Sequence, residues 1–324
     1  MEDIENRVVD GQVPCRKVWV DQLRGIALLL MYMAHNGGWA PLYMFAMMPI
    51  FFFLSGYLHK NKVSGKKFMH RIVFRLYVPY VCFSFLYAIQ EILIGKTYVD
   101  CLSEFFSSLI LGNGYMWFFP CLVSIEAIFF LIDKFAFRKI FMYVMMALGF
   151  TMLFIVKERS GCPWYIDTAV TMIPIYGGGY LYRNYERSDY SKMINKLLAI
   201  LFFAIYLMLS MLMLNNGVLV NVSTNKYSNP FQFAVFSFIG VYAYMMIVKS
   251  FNIGSFFVSI GRNTVFLYGM NVWLLTLCRK SLMMVAPIKN ELLMNTFISF
   301  SAIVLGLFFC GFVNKYLPFL NGRN

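Results

Sequence analysis

The stretch "WVDQLRGIALLLMYMAHNGG", residues 19–38, indicates both the fold class and the site. It is apolar enough for a membrane helix, yet it carries Asp21, Arg24 and His35, and ionisable groups inside a span usually mark function. Arg24 and His35 are eleven residues apart, almost three helical turns, so both lie on one face, roughly 16 Å apart along the axis. Asp21 lies within pairing reach of Arg24. We expect this face to line the interior of the protein.

The composition of the whole chain is that of a membrane protein. Of its 324 residues, 60% are hydrophobic, 19% aromatic and only 13% charged, whereas soluble domains are about a quarter charged. The polar residues 1–16 do not resemble a cleavable signal peptide. At roughly 20 apolar residues per crossing, we predict an all-α integral membrane bundle of about ten helices, at 18–36, 41–58, 73–94, 115–132, 139–156, 165–182, 195–214, 229–248, 259–277 and 292–313.

The distribution of positive charge predicts the orientation. With the N-terminus in the cytoplasm, the inner segments hold 18 Lys and Arg residues and the outer segments hold 7, which agrees with the positive-inside rule. The net charge of +13 therefore reflects topology in a membrane lipid environment, and no nucleic-acid partner is expected. We predict a transmembrane domain at 18–313 with cytoplasmic tails at 1–17 and 314–324. The sequence does not indicate an oligomeric state.

The segment 165–182 is the weakest of the predicted spans. It contains Asp167, Pro174 and the run "YGGGY", so we expect it to be kinked or short. A transporter built from inverted repeats has broken helices at matching positions in its two halves. This is the one segment whose sequence predicts a break, which disfavours a transporter.

A basic loop follows the second predicted span. It contains Lys60, Lys62, Lys66, Lys67, Arg71 and Arg75. Such a loop sets topology and attracts anionic lipid, or it binds the phosphates of a cytoplasmic cofactor. Arg75 precedes "LYVPY", where Pro79 would open the backbone. We expect His59 and His70 to be solvated, and mid-span Glu126 to pair with one of the buried arginines.

Further candidates lie near the predicted span ends. Asn36 begins the tight turn "NGG", which lets backbone approach a ligand. Trp117 lies in "GNGYMWFF", where it can serve as an interfacial anchor. Tyr268 and Asn271 lie in "SIGRNTVFLYGMNVW". The seven cysteines form no CxxC or His-rich cluster, so no metal site is expected. Cys101 and Cys162 fall in predicted outer loops and could form a disulfide.

These stretches together resemble the family-3 membrane acyltransferases. "DQLRGIALLLMYMAH", with ten residues between an Arg and a His, resembles the opening signature, and "MPIFFFLSGYL" and "RLYVPY" resemble the second and third. "MWFF" and "IGRNTVFLY" resemble two weaker motifs in the expected order. The resemblance covers essentially the whole chain. In the late motif, Asn271 stands where many members have a His, and Arg71 and Arg75 are spaced differently from the paired arginines of the family.

The resemblance implies transfer of an acyl group, usually acetyl, from cytoplasmic acyl-CoA to a hydroxyl of a cell-surface or lipid-linked glycan. His35 would be the catalytic base, Arg24 would line the donor route, and Arg75 would bind the donor or be structural. The acceptor would attack the thioester directly, or an acyl-His relay would form. A multi-pass protein of the bacterial inner membrane is implied. The alternative is a glycan-lipid transporter or flippase without acyl-transfer chemistry.

Overall fold

The computed structural model describes residues 17–61, 63–156, 162–185, 192–251, 253–285 and 289–323. Residues 1–16 of the predicted tail at 1–17 lie outside this range. About 82% of the described residues are helical, with almost no strand among them, which confirms the all-α class. The helices are α1 (Val18–His35), α2 (Ala40–Tyr43), α3 (Met47–Tyr57), α4 (Gly65–Ile72), α5 (Val78–Leu93), α6 (Tyr98–Leu111), α7 (Phe118–Ile132), α8 (Arg138–Ile155), α9 (Ile166–Tyr185), α10 (Lys192–Asn215), α11 (Pro230–Ser250), α12 (Ser255–Arg262), α13 (Thr264–Gly269), α14 (Asn271–Val285) and α15 (Glu291–Tyr316).

Short elements complete the chain. A π-helical turn, Val73–Tyr77, joins α4 to α5. Two-residue strands β1 (Val220–Asn221) and β2 (Lys226–Tyr227) form an antiparallel pair between α10 and α11. Short 3-10 helices lie at Pro163–Tyr165, Val222–Thr224 and Pro318–Asn321.

Each predicted span coincides with helix, and six helical segments of the described chain are long and apolar enough to cross a membrane. These six are Ala40–Tyr57, Gly65–Leu93, Arg138–Ile155, Lys196–Asn215, Pro230–Ser250 and Glu291–Tyr316. Phe118–Ile132 is apolar but shorter. The chain is thus a multi-pass membrane protein, while ten crossings and two cytoplasmic termini stay predictions.

Helix α1 lies at the centre of the bundle and packs on α3, α11, α12, α13 and α15. Its closest neighbour is α12. A Cβ on Gly261 would lie 1.8 Å from the Asp21 carbonyl oxygen, so only glycine fits there. A Cβ on Gly25 would similarly meet the carbonyl oxygen of Phe257 at 2.2 Å. Small residues of this kind let membrane helices approach closely, and here they hold α1 firmly in place.

The break predicted at "YGGGY" was wrong. Helix α9 runs without interruption from Ile166 to Tyr185, with Pro174 inside it. The glycines instead allow close packing against α3: a Cβ on Gly179 would meet the Phe53 carbonyl oxygen at 1.9 Å. The same sequence feature, a run without side chains, serves either a bend or a tight contact, and only the neighbouring helix decides which.

The interruption occurs instead in the predicted span 259–277, which consists of α12, α13 and α14. The first break, at Asn263, is stabilised by side-chain hydrogen bonds, because the Asn263 amide oxygen accepts from Asn314 at 2.8 Å and from Asn321 at 2.7 Å. The second break, at Met270, lies just before Asn271. The C-terminal residues 318–323 thereby fold back onto the bundle.

Helix α6 was not predicted, because its residues were assigned to an outer loop. It begins after Thr97, whose hydroxyl accepts a hydrogen bond from the backbone N–H of Asp100 at 3.2 Å, a standard N-cap. It ends at Gly112 in the left-handed region, with φ of 68°, as helices commonly do. Cys101 therefore lies on a helix, and Cys101 and Cys162 are both free thiols rather than a disulfide.

Candidate active site

Helix α1 places Arg24 and His35 on one continuous element. Since the helix is unbroken from Val18 to His35, the periodicity argument for a shared face holds. It ends at His35 because Gly37 adopts a φ of 73° and the N–H of Gly38 turns back to the Met33 carbonyl at 2.7 Å. The turn exposes the imidazole at the helix end. Arg24 is half-buried farther down the helix.

The His35 ring is open to an incoming molecule. Among the described residues, the aromatic ring beside it is that of Tyr115, with centroids 5.7 Å apart and planes at 37°. Neither ring nitrogen forms a hydrogen bond with the residues that the structure describes. Tyr115 in turn stacks on Tyr87 at 4.9 Å and 12°. An accessible imidazole with unused nitrogens is what proton transfer requires.

Asn271 lies on the other side of Tyr115. Its side chain is 1% exposed and interacts with the Tyr115 hydroxyl. The amide oxygen of Asn271 is buried and has no partner among the described residues. Buried polar atoms are rarely left unpaired, so this oxygen is available to a ligand group. Tyr115 was not predicted as a site residue, yet it joins two residues that were, His35 and Asn271.

The turn after His35 is held by a polar cluster. The Asn36 amide donates to the Asn295 carbonyl at 2.7 Å, and its oxygen accepts from the Arg279 guanidinium at 2.6 Å. Arg279 also donates to the Asn295 side chain at 3.3 Å. Asn36, predicted to contact substrate, is thus engaged within the protein. Arg279 was missed because the charge count assigned it to an outer loop.

Two predicted aromatic residues lie deeper in the same region. Tyr268 is buried and packs edge-on against Phe119 at 5.1 Å. Trp117 is half-buried and faces Tyr165 at 5.9 Å. Rigid aromatic packing of this kind fixes the loop that carries Tyr115, because Trp117 follows Tyr115 by two residues. A direct substrate contact by either ring stays a prediction.

Several arginines lie near the opposite end of α1. Arg262 pairs with the buried carboxylate of Asp21 at 3.4 Å, and Arg323 donates to the Arg262 carbonyl at 2.9 Å. Arg75 lies in the π-helical turn, and its guanidinium is exposed with no hydrogen bond to the described residues. The backbone of Arg75 packs beside Gly322. The C-terminal segment therefore adds Arg323 to this group of arginines, although the sequence predicted that it lies in the cytoplasmic tail.

A second polar cluster surrounds His59, which was wrongly expected to be solvated. The side chain is only 2% exposed. One ring nitrogen lies 2.9 Å from the Asp133 carboxylate and the other 2.9 Å from the Tyr176 hydroxyl. Tyr176 also donates to Glu126 at 3.2 Å. Glu126 pairs with Arg71, which confirms the prediction that Glu126 pairs with an arginine. His70, by contrast, is exposed.

No group of three or more His, Cys, Asp or Glu side chains suited to a metal ion lies within the described ranges. Comparison with protein families gave one match: a family model described as "Acyltransferase domain" matches residues 17–314, nearly the whole chain. Neither the curated proteins nor the solved structures gave a match. The matched range begins just before α1 and ends within α15, so it includes every residue of the His35 region.

Proposed function

The chain belongs to acyltransferase family 3, and we propose that it moves an acyl group, acetyl in the first instance, from cytoplasmic acyl-CoA to a hydroxyl of a cell-surface or lipid-linked glycan in the bacterial inner membrane. The observation that carries this proposal is the state of His35. Its imidazole is exposed, its nitrogens are unused by the described residues, and it lies on the helix that carries Arg24.

The arginine-rich end of α1 suits the donor. Arg262 pairs with Asp21 near the start of α1, Arg323 donates to the Arg262 carbonyl, and the backbone of Arg75 lies beside Gly322. Guanidinium groups bind phosphate oxygens through charge-assisted, often bidentate hydrogen bonds. The phosphates of coenzyme A would bind here, with the thioester arm extending along α1 past Arg24. The roughly 16 Å between Arg24 and His35 is a distance that the extended pantetheine arm can bridge.

The chemistry needs one base and close positioning. His35 takes the proton from the acceptor hydroxyl, the hydroxyl oxygen attacks the thioester carbonyl carbon, and the C–S bond breaks. The products are the O-acyl glycan and coenzyme A, whose thiolate receives the proton from the imidazolium. General-base help contributes about 10²–10⁴ in rate, and holding the two substrates together contributes as much or more. Asn271 could accept a hydrogen bond from the acceptor, since its amide oxygen is unpartnered among described residues.

An acyl-His relay is the second route to the same products. His35 would first attack the thioester and release coenzyme A, and the acceptor would then take the acyl group from the imidazole. The exposed end of α1 accommodates either order. A pulse of labelled acetyl-CoA without acceptor separates the two, because only the relay leaves label on the protein, and only when His35 is present.

The direct test is thioester turnover by purified protein in detergent. We expect the wild-type protein to release coenzyme A from acetyl-CoA, with His35→Ala lowering the rate by about 10²–10⁴-fold. His70→Ala is the matched control, because it removes an exposed imidazole outside the site and should leave the rate unchanged. Equal rates for wild type and His35→Ala would rule the proposal out.

The same assay addresses the transporter alternative. A glycan-lipid transporter or flippase would show no His35-dependent cleavage of the thioester. Mass spectrometry of surface glycans from cells with and without this protein would then identify the acyl group, since acetyl and succinyl add different masses. Oriented vesicles with labelled acceptor would show on which side the glycan is modified.

A further inference from the structure

A cleft opens beside Tyr115, between α5, α6 and the loop 112–117. It is a shallow cleft that is partly open to the outside. None of the catalytic or substrate-binding residues predicted from the sequence lines it. It forms because α6, unexpected in the sequence, packs along α5: the Tyr80 hydroxyl donates to the Ser108 carbonyl at 2.7 Å.

One wall of the cleft is aromatic and leads to His35. Tyr87 and Tyr115 both line it and stack in parallel, with centroids 4.9 Å apart. Tyr115 also contacts the His35 ring at 5.7 Å. Tyr115 therefore connects the cleft to the imidazole that we assign as the base.

The lining also carries polar groups and a net negative charge. Glu91 and Glu104 are its charged residues. Lys96 pairs with both, at 2.7 Å from Glu104 and 3.7 Å from Glu91, so one negative charge is left uncompensated. Ser84 and Asn113 add hydroxyl and amide groups to the lining. Hydrogen-bond acceptors thus lie beside the aromatic pair, and one of them, Glu91, interacts with the Tyr87 hydroxyl.

We propose that this cleft is the acceptor site and that it binds a neutral or amino-bearing sugar residue rather than an acidic one. A sugar ring has an apolar C–H face that packs on aromatic rings, and hydroxyls at its edge that donate to carboxylates. An amino group would gain from the uncompensated charge, whereas a uronate would be repelled. This assignment rests on the proposed acyl transfer to a glycan and adds where, and by which chemistry, the acceptor is recognised.

Binding is measured on the His35→Ala protein, which retains the cleft but cannot turn over. Saturation-transfer NMR titrations use three probes: the methyl glycosides of N-acetylglucosamine, glucosamine and glucuronic acid. We expect saturable binding of the first two, with the glucuronide at least several-fold weaker. Tyr87→Ala on this background should weaken binding at least tenfold, and Tyr87→Phe should retain it because the stacked ring remains. Tyr143→Ala, on the exposed face of α8, is the matched control.

A separate variant tests whether the carboxylates of the cleft select the charge of the sugar. Glu104→Gln removes one carboxylate and leaves Lys96 facing Glu91 alone, so the preference for glucosaminide over glucuronide should shrink several-fold. Glu291→Gln, an exposed carboxylate at the start of α15, should not change it. The inference is overturned if none of the glycosides binds, if the glucuronide binds best, or if Tyr87→Ala and Glu104→Gln leave binding unchanged. Because binding is read without turnover, an inactive wild-type protein would overturn the proposed function and leave this result standing.

Discussion

His35 and His59 are the same side chain in two opposite settings. The ring of His35 is exposed and has an aromatic edge beside it, and its nitrogens make no hydrogen bond within the described residues. The ring of His59 is 2% exposed and uses both nitrogens, on Asp133 and Tyr176 at 2.9 Å each. One imidazole is available for chemistry, and the other is fully occupied in holding helices together.

The surroundings of the two histidines differ in the same way. Around His59, the carboxylates and cations are mutually paired: Glu126 with Arg71, Asp133 with His59, and Arg183 with the His59 carbonyl at 2.7 Å. Around His35, the buried Asn271 oxygen has no partner among the residues described. Paired polar groups stabilise a bundle, whereas unpaired ones are maintained where a ligand completes them. The contrast separates structure from function more clearly than the presence of a histidine does.

The largest difference between the two histidines should appear in chemical rescue, in which free imidazole restores the activity of an alanine variant. His35→Ala should lose about 10²–10⁴-fold in coenzyme A release, and added imidazole should restore part of it because the site is open. His59→Ala should gain nothing from imidazole, since its cavity is closed by α3, α7 and α9. The measurement is the rate against imidazole concentration for both variants. Rescue of His59→Ala with none for His35→Ala would reverse the assignment.

Thermal stability should show the reverse pattern, with a large effect for His59→Ala and a small one for His35→Ala. His59→Ala removes the described partner of the Asp133 carboxylate and leaves the Tyr176 hydroxyl with Glu126 alone, at a cost of about 1–3 kcal/mol for the unpaired buried carboxylate. The thermal midpoint in detergent should therefore fall clearly, while His35→Ala, at an exposed ring, should change it little. His70→Ala serves as the control for removing an exposed histidine. An unchanged midpoint for His59→Ala would show that the cluster does not stabilise the fold.

The sequence predicted what depends on local periodicity. Apolar runs located most of the long helices, and helical spacing put Arg24 and His35 on one face, because both properties are set within a few turns of chain. The burial of His59 was missed since Asp133 and Tyr176 lie 74 and 117 residues away in sequence. Arg279 was missed for the same reason, because it meets Asn36 across 243 residues.

Local sequence signals also gave a wrong prediction where one sequence feature is compatible with two structures. "YGGGY" is typical of a break, yet in α9 the absent side chains allow contact with α3. The actual break after Arg262 depends on Asn314 and Asn321 from the C-terminal end of the chain. Helix α6 was hidden because its sequence is less apolar than a full span, and its cleft with α5 could not be foreseen without it.

Arg279 offers a finer test of how the open site is kept in place. Arg279→Met would remove the cation that holds Asn36, the residue after His35, and a small displacement of a catalytic group costs up to about 10²-fold. We expect kcat to fall about tenfold with little change in the KM for acetyl-CoA, and Arg279→Lys to recover part of it. Lys280→Met, an exposed neighbour, is the matched control. A change in stability with kcat intact would assign Arg279 to folding alone.

The smallest effect should come from the Tyr115 hydroxyl. Tyr115→Phe keeps the ring beside His35 and Tyr87 and removes only the interaction with Asn271. A lost hydrogen bond of about 0.5–1.5 kcal/mol corresponds to a two- to tenfold lower rate of coenzyme A release, with Tyr143→Phe unchanged. A loss near that of His35→Ala would mean that the hydroxyl, and not the ring, is the essential group. The groups that move the proton would then include the Tyr115 hydroxyl as well as His35, whereas the two nitrogens of His59 stay bonded to Asp133 and Tyr176.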